Sequence, residues 1–403
     1  MSAVPTNGSP DAETDGDELR RLMLYFLKLG TIGFGGPAAL VAYMRRDLVE
    51  RRGAVDEDTY NLALALAQIM PGPLAAQTAI AIGYFRCGVL GATLVGIAFI
   101  TPSFLMVLAL SVAYVAYGGL PWMQALFYGI GAAVIAIIAV ASYRLARGTN
   151  KQDLLLWGVF SVLFAATVWL QAELAVLFIT AGTLVMLLRA WPGRRRSLLL
   201  GGAALGAGML AWASERLLLS VDAGGSDHVL LQILFFFTKA GAFVFGSGLA
   251  IVPFLQEGVV EDFGWLTEHE FLDAVAVALI TPGPVVITVA FIGYLVAGVA
   301  GACLAAVGIF LPVYVFTVLP APWFERHRNN PQLRAFVSGT TAAASGAIAG
   351  AVVVLGQRAI SDLWTAAIAV VGAVLLWRFR LQEPFLVVLA GGAGLMLWPL
   401  VER

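Results

Sequence analysis

Apolar runs alternate with short polar connections along nearly the whole chain. Hydrophobic segments fall at about 22–44, 60–84, 89–117, 121–143, 154–170 and 172–190. After the polar run Trp191 to Ser197 one lies alone at about 198–219, and six more follow at about 228–254, 270–296, 298–320, 334–356, 362–378 and 384–400. Most approach the roughly 20 residues that a bilayer-spanning helix needs. The pattern predicts an all-α, polytopic membrane protein with segments arranged six, one, six. Ahead of them, Met1 to Leu19 is rich in Asp, Glu, Gly, Ser and Pro and has no basic stretch before an apolar core. It reads as a disordered tail and not as a cleaved signal peptide. The expected division is a tail over 1–19, a first repeat over 20–190, a linker with a central transmembrane segment over 191–227 and a second repeat over 228–403.

The two series repeat in sequence as well as in number. A shift of about 211 positions lays Lys28 on Lys239, Phe34-Gly35 on Phe245-Gly246, and Pro71-Gly72-Pro73 on Pro282-Gly283-Pro284. Roughly 17 of the 46 positions from Lys28 to Pro73 are identical without a gap. One deletion later, Ile82-Gly83-Tyr84 falls on Ile292-Gly293-Tyr294 and Pro102 on Pro312. Shared apolar composition does not put both Pro-Gly-Pro triplets and both lysines in register.

Charge bears on how the halves face. Basic residues favour cytoplasmic loops, whereas acidic ones contribute little. Arg144, Arg147 and Lys151, Arg189 and Arg194 to Arg196, Arg326, Arg328 and Arg334, and Arg378 and Arg380 are therefore expected on the cytoplasmic side of a plasma (inner) membrane. The loop after the first segment reads Arg45-Arg46-Asp47-Leu48-Val49-Glu50-Arg51-Arg52, and its counterpart Gln256-Glu257-Gly258-Val259-Val260-Glu261-Asp262. Opposite charge on equivalent loops predicts opposite sides, an inverted-topology repeat. If every segment spanned and the N-terminus were cytoplasmic, both loops would lie on the wrong side. The conflict disappears when the first two segments of each half dip into the membrane and return, which gives nine spans and four re-entrant segments.

Composition narrows the chemistry. The chain is 60% apolar and 12% charged, against about a quarter charged in ordinary soluble domains. A net charge of −1, with basic residues spread over loops, gives no reason to expect nucleic acid. Cys87 and Cys303 are too few for a disulfide framework, and His228, His269 and His327 have no metal spacing. No phosphate-binding loop is present, so neither a cofactor, a metal nor ATP coupling is expected, and a membrane-embedded enzyme lacks its nucleophile or metal cluster.

What remains are helix breakers and a few polar groups inside apolar runs. Gly33-Phe34-Gly35-Gly36-Pro37, its counterpart Phe245-Gly246-Ser247-Gly248, and the two Pro-Gly-Pro triplets should interrupt helices. Inside a bilayer, freed backbone groups are tolerated where protein buries them or where they line a wet cavity. A half-helix beginning near the midplane aims free amides and a positive dipole end at that cavity, which suits an oxyanion. Lys28 and Lys239 lie in apolar context, where an ammonium costs roughly 2.5 to 3.5 kcal/mol; they serve an anion or snorkel to the interface. Gln68, Gln77, Thr78, Ser247, Thr281 and Thr288 flank the breakers and offer neutral hydrogen bonds, to an anion or between helices. Arg86 reads first as a charge that sets topology and second as a ligand, and Glu257, Glu261, Glu268 and Asp273 either couple protons or gate, or are solvated loop acids, the commoner case.

The paired FGGP-like and PGP motifs, each followed by Gly-Tyr, resemble the chromate ion transporter (CHR) family, whose long members have two homologous halves. The resemblance covers about Leu22 to Gly356. It implies transport of chromate, with sulfate as a shape analogue and bacterial chromate export as the usual role. The family's glycines and prolines fall on Gly35, Gly36, Pro37, Pro71, Gly72 and Pro73, and on Gly246, Gly248, Pro282, Gly283 and Pro284. The second half has Ser247 and no proline where the first has Gly36-Pro37. The leading expectation is secondary export of chromate against some coupling ion; the alternatives are an uptake system or a channel for sulfate or another oxyanion. Glycines at Gly201, Gly202, Gly206, Gly208, Gly391, Gly392 and Gly394 suit close packing, inside the chain or in a homodimer.

Overall fold

A computed structural model describes residues 11–34, 36–117, 121–170, 175–189, 226–244, 248–327, 330–379 and 381–401. The described residues are helical, with no strand. In the first half α1 (Asp11–Ile32), α2 (Gly36–Met44), a π-helical turn (Arg45–Arg51), α3 (Glu57–Ile69) and α4 (Leu74–Tyr117) lead to α5 (Pro121–Asn150), α6 (Leu154–Leu170) and α7 (Ala175–Arg189). The second half repeats this. After α8 (Ser226–Ala242) and a short 3-10 turn (Gly248–Ile251) come α9 (Val252–Gln256), a second π-helical turn (Glu257–Asp262) and α10 (Glu268–Ile280). A further 3-10 turn (Val285–Ile287) leads to α11 (Thr288–Val318), α12 (Ala321–His327), α13 (Pro331–Ala359), α14 (Leu363–Arg378) and α15 (Glu383–Val401). α1 begins inside the polar stretch read as tail, and Glu18 ties it down by accepting from Arg86 Nε at 2.6 Å. The central segment expected at 198–219 lies outside the described residues.

α4 is a hairpin, not a rod. Cys87 and Gly88 leave helical geometry, Gly88 with φ 62°. A Cβ on Gly83 would lie 2.5 Å from the Gly91 carbonyl oxygen, whereas residues eight apart in a straight helix stand about 12 Å apart. The chain therefore reverses, and only glycine lets the two arms approach so closely. α11 turns in the same way at Ala297 and Gly298 (φ 60°), with Gly293 against Gly301.

The short arms re-enter. Asp56 caps α3 by accepting from the Thr59 amide at 2.8 Å, which holds its carboxyl below the ordinary range. Arg86, at the far end of the first α4 arm, lies 3.7 Å from Asp56 and also pairs with Glu18. The start of α3, the end of that arm and the start of α1 thus share one face. The Arg52 guanidinium sits 5.4 Å over the Tyr25 ring, which brings the loop after α2 back beside α1 on the same face. On the other side, Phe236 of α8 stacks with Phe254 and meets Phe263 and Trp265 around the base of α10.

The second arm of α4 relates the two faces. It leaves the first face beside Arg86 and ends at Tyr114, whose hydroxyl donates to Asp273 near the start of α10 at 2.7 Å. α11 runs the other way, its Tyr314 hydroxyl 2.7 Å from Thr93 Oγ1 at the beginning of that arm. The re-entrant pairs of the two halves therefore enter from opposite faces, and the halves form an inverted repeat. The long helices exchange partners: α5 packs on α14 and α15 of the other half, and α13 packs on α6 and α7. Arg144 donates to the Leu376 carbonyl at 2.9 Å, and Arg189 pairs with Asp153, both on the first face. Among the described residues the stretches Leu74–Tyr117, Trp122–Asn150, Val285–Val318 and Pro331–Gln357 are long and apolar enough to cross a membrane, and α6, α7, α14 and α15 are shorter apolar helices beside them. They expose Leu90, Ile97, Val307, Val370 and Met396 as a lipid-type surface.

A cysteine-accessibility map checks this arrangement. Single cysteines in 45–52 and at 86 should label from one side of the membrane, and single cysteines in 257–262 only from the other. Labelling of 45–52 and 86 from opposite sides would require α1 to α4 to span.

Candidate functional site

The breaks meet at the centre of the molecule. Proline closes both re-entrant helices: α3 ends at Met70 in extended geometry before Pro71, and α10 ends at Thr281 before Pro282. The glycines between the prolines take φ 146° (Gly72) and 104° (Gly283), values that side-chain-bearing residues rarely adopt. Each turns its amide to the other half. Gly72 N–H donates to the Val244 carbonyl at 2.5 Å, and Gly283 N–H donates to the Gly33 carbonyl at 3.0 Å. These bonds are images of each other under the 211-position shift.

Other contacts close the ring of tips. Ser103 Oγ donates to the Pro282 carbonyl at 2.6 Å and lies 3.4 Å from the Gly30 carbonyl. A Cβ on Gly248 would lie 3.5 Å from Val285 and Val286, so the break after α8 abuts the second triplet. From these tips the returning elements all begin: α2 at Gly36, α4 at Leu74, and the 3-10 turns at Gly248 and Val285 leading into α9 and α11. Helix N-termini leave their first amides unpaired and carry a partial positive charge. Four chain breaks with returning N-terminal ends thus gather between the halves.

The neutral polar residues take unequal places. Gln77 is fully buried, and its Nε2 donates to the Pro71 carbonyl at 2.7 Å while its Oε1 has no partner among the described residues. That leaves one acceptor facing the tip. Thr78, Thr281 and Thr288 are buried, each giving its hydroxyl to a carbonyl of its own turn at 2.6 to 3.0 Å. Their oxygens retain acceptor capacity only. Gln68 is exposed, in the last turn of α3 before the first triplet. Pro73, Pro282 and Pro284 are buried, and Pro37 and Pro71 partly so. Gly35, Gly246 and Ser247 lie outside the described residues.

The lysines are less buried than the tips. Lys28 is exposed on the α1 face that also carries Leu24, Leu27 and Thr31. Lys239 is half-buried, its ammonium 5.4 Å over the Phe254 ring, a cation–π arrangement.

One residue escaped sequence reasoning, and the burial of another was not foreseen. Ser103 has Val313 as its counterpart and follows a helix proline, so nothing in the pattern marked it. Asp273, read as a solvated loop acid, is instead buried in α10 and hydrogen-bonded to Tyr114. Its neighbours Phe271, Leu272 and Ala274 were the available signal.

Comparison with known proteins agrees with this architecture. The model of the chromate transporter family matches residues 20–188 and 231–396, one match per half. A "Chromate transport protein" of Cupriavidus metallidurans is 54% identical over 386 residues, covering 96% of this chain and 94% of that protein. A "Probable chromate transport protein" of Synechococcus elongatus is 51% identical over 382 residues, covering 94% and 96%. A "Chromate transport protein" of Pseudomonas aeruginosa is 32% identical over 395 residues, covering 94% and 92%. No solved structure matches the chain significantly. Two matched halves, inverted about a centre of broken helices, together with near-full-length identity to these relatives, make this chain a member of the chromate transporter family.

Proposed function

We propose that this protein exports chromate from the cytoplasm across the plasma membrane by secondary transport, with each repeat, 20–190 and 228–403, supplying half of the path. The observation that carries the reading is the gathering of four breaks and their returning helix ends between inverted halves. A tetrahedral divalent oxyanion losing its hydration there needs hydrogen-bond donors and positive potential, and free amides at helix ends provide both. Lys28, Gly35, Gly36, Pro37, Gln68, Pro71, Gly72, Pro73, Gln77, Lys239, Gly246, Ser247, Gly248, Thr281, Pro282, Gly283 and Pro284 form or frame that site in this reading. Sulfate, with the same shape and charge, competes. The names of the curated relatives support chromate as the cargo.

The first face is the cytoplasmic one. Arg45, Arg46, Arg51, Arg52, Arg86, Arg144, Arg147, Arg189 and Arg378 lie at or near it, while Glu257, Glu261, Asp262 and Glu268 lie around the other. Positive charge in short loops favours the cytoplasm. The N-terminus is then cytoplasmic.

Purified protein in liposomes, given radiolabelled chromate under imposed proton or sodium gradients, tests the function. Saturable chromate flux, inhibited by sulfate and accelerated by one imposed gradient, is expected. Flux that ignores every gradient but chromate's own would make the protein a channel. Cells expressing the protein should accumulate less chromate than cells lacking it, and greater accumulation would reverse the direction.

A further inference from the structure

A cavity of about 360 Å3 opens on the second face, where the ends of α4, α13 and α15 meet the starts of α5 and α10. His269 and Gln124 are exposed at its mouth, and Tyr114, Asp273, Tyr128 and Trp398 line it further in. Asp273 is only 9% exposed. Its Oδ2 accepts from Tyr114 Oη at 2.7 Å, across the boundary between the halves. No cation pairs with it among the described residues. Glu270 stands near it on α10, His269 lies at the mouth, and Tyr128 of α5 gives its hydroxyl to Asp362 instead. The Trp398 indole N–H, also in this wall, is buried without a partner among the described residues.

The repeat shows that the fold does not need this polar pair. The 211-position shift lays Asp273 on Leu62, and the later register lays Tyr114 on Phe324; both are buried, on elements that pack together. An apolar pair serves the scaffold there, so packing at this place in the fold does not require the polar one. A buried carboxylate with one neutral donor and a wet cavity beside it has a different use: it gains and loses a proton. The second arm of α4 and the α10 region are joined twice, at Tyr114–Asp273 and at Ser103–Pro282 beside the tips. A change of charge at the first junction thus acts on the elements that hold the second.

We propose that Asp273 is a proton-binding site loaded from the second face through this cavity, and that its protonation is coupled to movement of the anion through the α4–α10 junction. The inference rests on the transport reading above. The proton passes from water in the cavity to a carboxylate oxygen of Asp273 and back to water, with no other bond changed. With the second face outside, protons entering exchange for anion leaving.

The test uses full-length protein in liposomes loaded with a pH-sensitive dye. Chromate-for-chromate exchange at equal pH reads transport alone, while the response of net flux to an imposed pH gradient and the dye signal read coupling. Asp273→Asn is expected to keep exchange within about twofold while losing about tenfold or more of both coupled signals. Tyr114→Phe should keep exchange and shift the pH profile of net flux by about half a unit or more, because a hydrogen bond to the carboxylate is gone. Chromate-driven proton movement of wild-type size in Asp273→Asn overturns the proposal. Should Asp273→Asn lose exchange as well, Tyr114→Phe decides: a shifted profile supports the site and an unshifted one overturns it. Absence of exchange in the wild type would instead sink the transport reading.

Discussion

Gly283→Ala should reduce chromate flux per inserted molecule by about 100-fold, and Gly72→Ala should do nearly the same. Both glycines hold φ values in the positive region, 104° and 146°, where a side chain brings strain of roughly 1 to 3 kcal/mol. Space is lacking too. A Cβ on Gly283 would run into Ser103 Oγ, and one on Gly72 would lie 2.6 Å from Gln77 Cδ. Neither neighbour has freedom to retreat, since Ser103 is bonded to the Pro282 carbonyl and Gln77 to the Pro71 carbonyl, both buried. Relief requires moving the triplet, which breaks the amide bond to Val244 or Gly33 and displaces a returning helix end. Gly53→Ala is the control. Gly53 has φ 59°, in the left-handed region that side-chain-bearing residues enter at modest cost, and open space around it at the first face, so the tips stay in place. Its flux per inserted molecule should remain within about twofold of wild type. Normal flux in Gly283→Ala, measured against membrane content by immunoblot, would remove the triplets from the transport path.

The same residues show what sequence carries and what it withholds. Proline and glycine act through local dihedrals, so the ends of α3 and α10 at the triplets were legible without any tertiary information. The turn between Phe85 and Gly88 was legible as a dip in hydropathy, though the close approach of Gly83 to Gly91 was not. Re-entry was legible only because loop charge is read by the membrane: Arg45 to Arg52 and Glu257 to Asp262 conflict with a scheme in which everything spans. The reciprocal amide bonds and the exchange of α5 and α13 between halves are long-range pairings, set by packing of Ala- and Gly-rich surfaces that all look alike in one dimension. The burial of Asp273 was hidden for the same reason. Its character depends on Tyr114, distant in sequence, and on a cavity closed by three further helices.

The lysines put the largest electrostatic claim at risk. Two readings of Lys28 and Lys239 predict opposite results. If they compensate the anion, the double variant Lys28→Gln, Lys239→Gln should lose about 100-fold in chromate flux while membrane content falls no more than about twofold. Coulomb attraction sets the scale: a unit charge roughly 8 Å from a divalent anion, at an effective dielectric near 20, contributes about 4 kcal/mol before ionic screening. Their surroundings predict unequal shares. Lys239 packs against Phe254, on the element that returns from the break, and is held in place. Lys28 is exposed on a face shared with Leu24 and Leu27, where its long stem reaches either the anion path or the interface. Lys239→Gln alone should therefore cost more flux than Lys28→Gln alone. Lys239→Arg should restore only part of it, because a planar guanidinium does not reproduce a compact ammonium over the same ring. Under the anchoring reading, Arg is fully tolerated at both positions and Gln lowers insertion rather than flux. Normal chromate flux per inserted molecule in the double variant would end the pairing role of both lysines and leave the oxyanion to backbone amides alone.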